Sequence, residues 1–145
     1  MAEAARRGRF GVWWGLPALI ALWNVLMGIR PAETLVGLPS GLASFYGLEA
    51  CAVNPDPTCP TASGASLYDL ERQGVPYAAS WEYPFGTWLR VCRADQPGRC
   101  VKVVVLDRGP AKRLGRLIDL NKTSFQQLAP LSQGLVPIDI QEVQR

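Results

Sequence analysis

TWLRVCRADQPGRCVKVVVLDRGP, residues 87–110, is typical of a strand, a tight turn and a second strand. Two β-rich runs, Thr87–Arg93 and Cys100–Leu106, flank the turn-forming tetrapeptide DQPG, and this pattern predicts a β-hairpin. Every second residue from 101 to 105 is valine, so one face of the second strand is apolar. The tetrapeptide DRGP at 107–110 then ends this strand abruptly.

Further short strands are predicted on both sides of this hairpin. Strand-like composition is found at residues 42–46, 117–120 and 135–143, and residues 77–80 are either a short strand or a turn. Residues 48–66 are expected to form a loop rich in proline and small polar residues. Asn121 can cap a helix of about two turns that ends before Pro130. Pro137 within the last strand favours an edge or a bulge. About six strands and one small helix predict a small closed β-barrel or a mixed β-domain.

Composition excludes several classes of protein. The chain has 145 residues, of which 48% are hydrophobic and 19% charged, so it has room for one modest folded domain and is not intrinsically disordered. It contains no histidine, which rules out histidine metal ligands, histidine general bases and nucleophiles activated by histidine. We therefore expect neither a metal nor another cofactor.

The positive charge is confined to the N-terminus. The whole chain carries a net charge of +3, and residues 1–30 account for all of it, which leaves the remainder neutral. A neutral body lacks the basic surface that phosphate contacts require, so we expect no nucleic-acid partner.

Residues 11–29, GVWWGLPALIALWNVLMGI, contain no charged side chain. As a helix, a segment of this length covers about 28 Å, close to the thickness of a bilayer's hydrocarbon core. Arginines precede it at positions 6, 7 and 9, which places the N-terminus in the cytoplasm. We expect residues 1–30 to be a basic tip and a membrane-spanning signal anchor, residues 31–40 a tether, and residues 41–145 the exported domain. A cleaved signal, which would make the domain secreted, is the alternative.

The four cysteines are consistent with export to an oxidising compartment. Cys51 and Cys59 bracket a proline-rich loop, and Cys92 and Cys100 bracket the turn of the predicted hairpin. Four cysteines allow three pairings. We expect the two local ones, because a hairpin places Cys92 opposite Cys100. A four-cysteine zinc site is disfavoured, because neither pair has the usual ligand spacing.

Several motifs resemble those of rare lipoprotein A-like domains, and they occur in the family's order. The first, GLASFYG at 41–47, is similar to the family's opening strand, and a closing GLV at 134–136 precedes the last strand. Between them lie TASG at 61–64, YAA at 77–79, PFGT at 84–87, VLDRGP at 105–110 and RLIDL at 116–120. The resemblance covers residues 41–143.

This resemblance implies a six-stranded double-psi β-barrel, related to expansins, that acts on peptidoglycan. Several family members are lytic transglycosylases, which cut the glycan strand and release a 1,6-anhydro sugar without water. This reaction needs two proton transfers, and one carboxyl group can serve both. It protonates the glycosidic oxygen and then takes the proton of the sugar's 6-hydroxyl.

The chain departs from the family pattern at two of the three polar positions linked to catalysis. Ala65 and Ser66 stand where the family has glutamate, and Ser80 stands where it has histidine. The third position is kept as Asp107, which we expect to be the single acid/base. We expect Asp119, in the RLIDL motif, to be structural.

Substrate contacts are expected around Asp107. Besides Ser80 and Arg108, three residues with amphipathic or acidic side chains are candidates, namely Tyr46, Trp81 and Glu82. Aromatic rings stack on sugar faces while their polar edges stay hydrated. A catalytically inactive peptidoglycan-binding or structural barrel, in the cell envelope or in a phage lysis or virion protein, is the alternative to a lytic transglycosylase.

Overall fold

The computed structural model describes residues 38–53 and 56–145, which contain six strands and two short α-helices. The strands are β1 (Ser40–Tyr46), β2 (Tyr77–Ala79), β3 (Trp88–Arg93), β4 (Cys100–Asp107), β5 (Ile118–Asn121) and β6 (Val136–Val143). The helices are α1 (Leu67–Arg72) and α2 (Lys122–Leu128), and short 3₁₀ turns lie at Leu48–Val53, Lys112–Leu114 and Leu131–Gln133.

The six strands close into a barrel in the order β1-β5-β2-β4-β3-β6. The pairs β1–β5 and β2–β4 are parallel, and the other pairs are antiparallel. The prediction of a closed barrel of about six strands is confirmed. Side chains from all six strands and from α2 fill the interior, and the largest fully buried ones there are Phe125, Leu89, Ile118, Leu120, Leu128, Ile138 and Ile140.

The predicted hairpin is formed by β3 and β4, with Cys92 opposite Cys100. These two cysteines form one disulfide, and Cys51 and Cys59 form the other. Both predicted pairings are confirmed.

Two details of the barrel differ from the predictions. Strand β6 is not an edge, because it pairs with β1 on one side and β3 on the other. Pro137 is the second residue of β6 and lies beyond the last register pair with β3, Arg93 with Ile138, and its carbonyl oxygen accepts from the N–H of Ala94 at 3.0 Å. The second difference is helix α1. It follows the predicted loop at residues 48–66, and no helix was predicted there.

The predicted membrane span at residues 11–29 lies outside the described residues, as does most of the predicted tether. Within ranges 38–53 and 56–145, no helix has the length and apolar character needed to cross a bilayer.

Candidate active site

Asp107 ends strand β4, and its half-buried carboxylate accepts three hydrogen bonds. Its Oδ1 atom accepts from the backbone N–H groups of Ala62 and Arg108, each at 2.8 Å. Its Oδ2 atom accepts from the hydroxyl of Tyr46 at 3.0 Å. Because Oδ1 has two donors and Oδ2 has one, Oδ2 is the oxygen with more capacity for another partner.

Tyr46 ends strand β1, and its ring is held on the side of the barrel that carries Asp107. The ring packs edge-on against the ring of Tyr77, with centroids 5.5 Å apart. Burial, followed by the negative charge of Asp107, raises the pKa of Tyr46 far above its ordinary value. Tyr46 therefore stays protonated at physiological pH and acts as a hydrogen-bond donor to Asp107.

A second carboxyl group, that of Asp119, lies two strands away from Asp107. Residue Ala79 of β2 is the register partner of Asp107 on one side and of Asp119 on the other. Two strand spacings separate their backbones by about 10 Å. A Cβ atom built on Gly109 would lie 3.9 Å from Asp119 Oδ2, so the turn that follows Asp107 passes close to this carboxyl.

Asp119 is only 9% exposed. The Ser44 hydroxyl donates to its Oδ1 atom, and the Arg116 guanidinium lies 3.6 Å from its Oδ2 atom. Burial raises the pKa of Asp119 even though both neighbours act in the opposite direction. Asp119 was expected to be structural, and the structure makes it part of the surroundings of Asp107. An acidic residue between Ile118 and Leu120, inside an apolar strand, is the sequence signal that could have indicated this.

Arg108 follows Asp107 in sequence, but its guanidinium makes other contacts. Its Nη1 atom donates to the carbonyl oxygens of Ser80 at 2.7 Å and Tyr83 at 2.9 Å. The same guanidinium lies 3.7 Å from the centroid of the Phe85 ring. No ion pair between Arg108 and Asp107 is found in the described part of the chain. Arg108 therefore organises residues 80–86, which we call the 80–86 loop.

Ser80, at the position where the family has histidine, is fully buried. Its N–H donates to the carbonyl oxygen of Asp107 at 3.1 Å, and its hydroxyl accepts from the N–H of Glu82 at 3.2 Å. The side chain thus stabilises the turn and is not presented to a ligand, so its position does not support the expected substrate contact.

Two aromatic rings of the 80–86 loop face solvent. Trp81 is 50% exposed and Phe85 is 41% exposed. The indole N–H of Trp81 donates to the carbonyl oxygen of Pro110 at 2.8 Å, which attaches the ring to the turn after Asp107. Glu82 is exposed beside Trp81. The structure therefore places Tyr46 and the backbone of Arg108 against Asp107, and the exposed rings of Trp81 and Phe85 on the neighbouring 80–86 loop.

A separate cavity of about 350 Å³ lies near the start of β4, away from Asp107. It contains none of the predicted site residues, and its lining includes Glu71, Lys102, Asn121, Thr123 and Gln127. In ranges 38–53 and 56–145, no group of three or more cysteine, aspartate or glutamate residues is placed to hold a metal ion.

Comparisons with known proteins address the family and the fold. A family model described as "Lytic transglycolase" matches residues 39–140. A variant Clavibacter michiganensis expansin in complex with cellohexaose matches with a TM-score of 0.52 and 23% identity, over 72% of this chain and 50% of the expansin. The apo expansin has the same TM-score and coverage at 24% identity. The chain thus spans half the length of the expansin chains that it matches.

A third solved structure, the Streptomyces papain inhibitor, matches over 73% of this chain and 94% of its own, with a TM-score of 0.52 and 24% identity. A search of curated proteins gave no match. At these identities the solved structures show the fold alone, which is the double-psi β-barrel that the motifs predict. The family model covers the barrel from before β1 into β6. The chain therefore belongs to the lytic transglycolase family of double-psi β-barrel domains.

Proposed function

We propose that this domain binds the glycan strands of peptidoglycan and cleaves them as a lytic transglycosylase, with Asp107 as the acid/base. The observation that carries the proposal is the fixed carboxylate of Asp107, which is held by Ala62, Arg108 and Tyr46 and, among residues 38–53 and 56–145, has no guanidinium paired to it. A carboxyl group with a defined orientation at the rim of a barrel can meet a substrate oxygen without reorganising.

The chemistry needs two proton transfers at one atom. In its protonated form, Asp107 donates a proton from Oδ2 to the glycosidic oxygen as the bond from that oxygen to the anomeric carbon breaks. The ionised carboxylate then takes the proton of the 6-hydroxyl, whose oxygen bonds to the anomeric carbon and closes the anhydro ring. Water is not consumed, and Asp107 returns to its protonated form.

Asp119 is the second acid of the site, and it acts from inside the barrel wall. We assign the contact with the sugar to Asp107, because Asp107 is half-buried whereas Asp119 is 9% exposed. The raised pKa of Asp119 means that its protonated form persists to a higher pH than that of an exposed aspartate.

The exposed ring of Trp81 is the proposed stacking surface for a sugar. Its hydrogen bond to Pro110 fixes the ring beside the turn that follows Asp107. The apolar face of a half-exposed aromatic ring can stack on the apolar face of a sugar, while the polar edge of the ring stays hydrated. The expansin of similar fold was solved with cellohexaose, which supports an oligosaccharide as the ligand class to test.

A non-catalytic peptidoglycan-binding barrel is the second candidate. It is favoured by the two positions that depart from the family pattern. Ser80 is buried, and the hydroxyl of Ser66 accepts from the N–H of Asp69 as the cap of helix α1. Neither position presents an acid or a base to a substrate.

Incubation of the full chain with purified peptidoglycan sacculi distinguishes the two candidates. We expect the wild type to release anhydro-muropeptides, and Asp107→Asn to lower their rate of release about 100-fold or more while it still sediments with the sacculi. Asp69→Asn is the matched control, because the Asp69 carboxylate lies in an exposed ion pair with Arg72. Sedimentation of the wild type without any product would establish the binder instead. Neither binding nor product would refute both candidates.

We also propose that the barrel lies outside the cytoplasmic membrane, tethered through residues 11–29 or secreted. The two disulfides support this, because such bonds persist in oxidising compartments. In intact spheroplasts, an added protease should degrade the barrel if it is tethered outside, and the barrel should be in the medium if it is secreted. Protection of the barrel until the spheroplasts are lysed would contradict this location.

A further inference from the structure

The two oxygens of Asp107 are held by two chain segments that one disulfide joins. Tyr46 donates to Oδ2, and Ala62 donates to Oδ1. Cys51 lies five residues after Tyr46, and Cys59 lies three residues before Ala62. The disulfide between Cys51 and Cys59 therefore connects the segment that follows one donor to the segment that precedes the other.

Residues 61–65, which we call the 61–65 turn, carry Ala62 to the end of β4. The turn is closed by a hydrogen bond from the N–H of Thr61 to the carbonyl oxygen of Ala65, at 2.8 Å. The N–H of Ser63 donates to the carbonyl oxygen of Leu106 at 3.2 Å, so the turn docks on β4 directly beside Asp107. The position of the Ala62 donor thus depends on how the turn is held.

Cys59 directs the chain into the 61–65 turn. Its φ angle of 46° lies in the left-handed region, which a residue with a side chain adopts only when its surroundings hold it there. Its carbonyl oxygen accepts from the N–H of Leu67 at 3.0 Å, and its Sγ atom is bonded to Cys51. The disulfide is one of the restraints on this backbone conformation.

The disulfide is also buried beneath the site. Cys51 is 8% exposed and Cys59 is 4% exposed, and both pack in an apolar cluster with Tyr77. Partly buried side chains of Tyr46 and Leu106 pack against the same cluster. The disulfide is therefore part of the apolar cluster on which Tyr46 and Leu106, the residue before Asp107, pack.

We propose that the Cys51–Cys59 disulfide is a positioning element for Asp107, which fixes the Tyr46 and Ala62 donors on either side of its carboxylate. This inference rests on the proposed function, because it assigns the bridge a part in the reaction at Asp107. A shift of about 1 Å in a reacting group can cost two orders of magnitude in rate. Loss of the bridge should therefore reduce turnover in addition to reducing stability.

The second disulfide is a matched control that the chain itself provides. Both bridges join cysteines eight residues apart, so the chain-entropy model gives them the same stabilisation. Cys92–Cys100, however, closes the β3–β4 hairpin at the first residue of β4, and Asp107 is the last residue of that strand. Seven residue steps along a strand amount to about 23 Å, so this second disulfide lies at the opposite end of β4 from Asp107.

The test compares the double variants C51A/C59A and C92A/C100A in the full chain. The measurements are thermal unfolding, kcat and KM for the release of anhydro-muropeptides, and hydrogen exchange of the Ala62 amide by NMR. We expect similar decreases in Tm for the two variants. Only C51A/C59A should lose kcat, by about tenfold or more, with little change in KM and with faster exchange at Ala62. Equal kcat for the two variants, or unchanged protection of the Ala62 amide in C51A/C59A, would overturn the inference.

Ala62→Pro keeps the test decisive if C51A/C59A does not fold. This variant removes the N–H donor and leaves both disulfides in place. We expect it to lower kcat to a similar extent, and full activity in a folded A62P would refute the positioning role. If the wild type releases no product, the proposed function fails. Exchange at Ala62 in oxidised and reduced wild type then still decides whether the bridge positions the donor.

Discussion

At the scale of single residues, the site depends on contacts between positions that are distant in sequence. Asp107 could be proposed from sequence as a site residue, because an aspartate that ends an apolar strand just before a Gly-Pro turn is expected at the rim of a barrel. Its donors could not be identified, because Tyr46 and Ala62 are 61 and 45 residues away from it. Ser80 shows the converse limit, since its position in the pattern suggested a substrate contact and the fold buries it.

The buried carboxyl of Asp119 predicts a pH dependence of stability. Because burial raises its pKa, the folded state binds the proton more tightly than the unfolded state does. Stability therefore falls as the pH rises from the ordinary aspartate range, near pH 4, toward the raised pKa. The asparagine side chain in Asp119→Asn does not ionise, so this variant lacks the decrease in stability with rising pH that Asp119 causes.

The measurement is the difference in Tm between wild type and Asp119→Asn at two pH values. We expect the difference, wild type minus variant, to be larger at about pH 4 than at about pH 7. Groups that titrate in both proteins cancel in this difference. A difference that increases toward pH 7 would show that Arg116 and Ser44 outweigh burial and lower the pKa instead.

At the scale of elements, alternation and turn residues located the strands well. The predicted strand at 100–106 is β4 with one residue added, and the predicted helix after Asn121 is α2. Helix α1 was missed because it has only six residues, fewer than two turns, so Leu67 and Leu70 give just one helical repeat. Its clearest signal is Ser66, whose hydroxyl caps the first turn.

Removal of that cap should destabilise the domain without affecting the chemistry. Ser66 accepts from the N–H of Asp69 and donates to the carbonyl oxygen of Thr58 at 2.9 Å. We expect Ser66→Ala to lower the free energy of unfolding by about 1 kcal/mol in urea denaturation. Ser132→Ala, at an exposed position in a 3₁₀ turn, is the control and should change it by a few tenths of a kcal/mol at most. A full loss of anhydro-muropeptide release in a folded S66A would instead give Ser66 a part in the reaction.

At the scale of the whole molecule, periodicity indicated a small closed barrel but could not define its strand order. Strands β1 and β5 pair in parallel although three strands separate them in sequence. Strands β2 and β4 also pair in parallel, although β3 lies between them in sequence. No local pattern encodes such pairings, and it was the ordered motifs from GLASFYG to RLIDL that pointed to the double-psi topology. The same motifs marked Asp107 as a candidate site residue, whereas the nearness of Asp119 follows only from β2, which pairs with the strands of both residues.

The most direct test of cleavage by Asp107 is mass spectrometry of the products formed from purified glycan strands in ¹⁸O-labelled water. We expect the wild type to generate 1,6-anhydro ends without ¹⁸O, because the 6-hydroxyl and not water attacks the anomeric carbon. Asp107→Asn should generate such ends at a rate that is lower by about 100-fold or more. Reducing ends that carry ¹⁸O, or anhydro ends released equally fast by Asp107→Asn, would contradict the assignment.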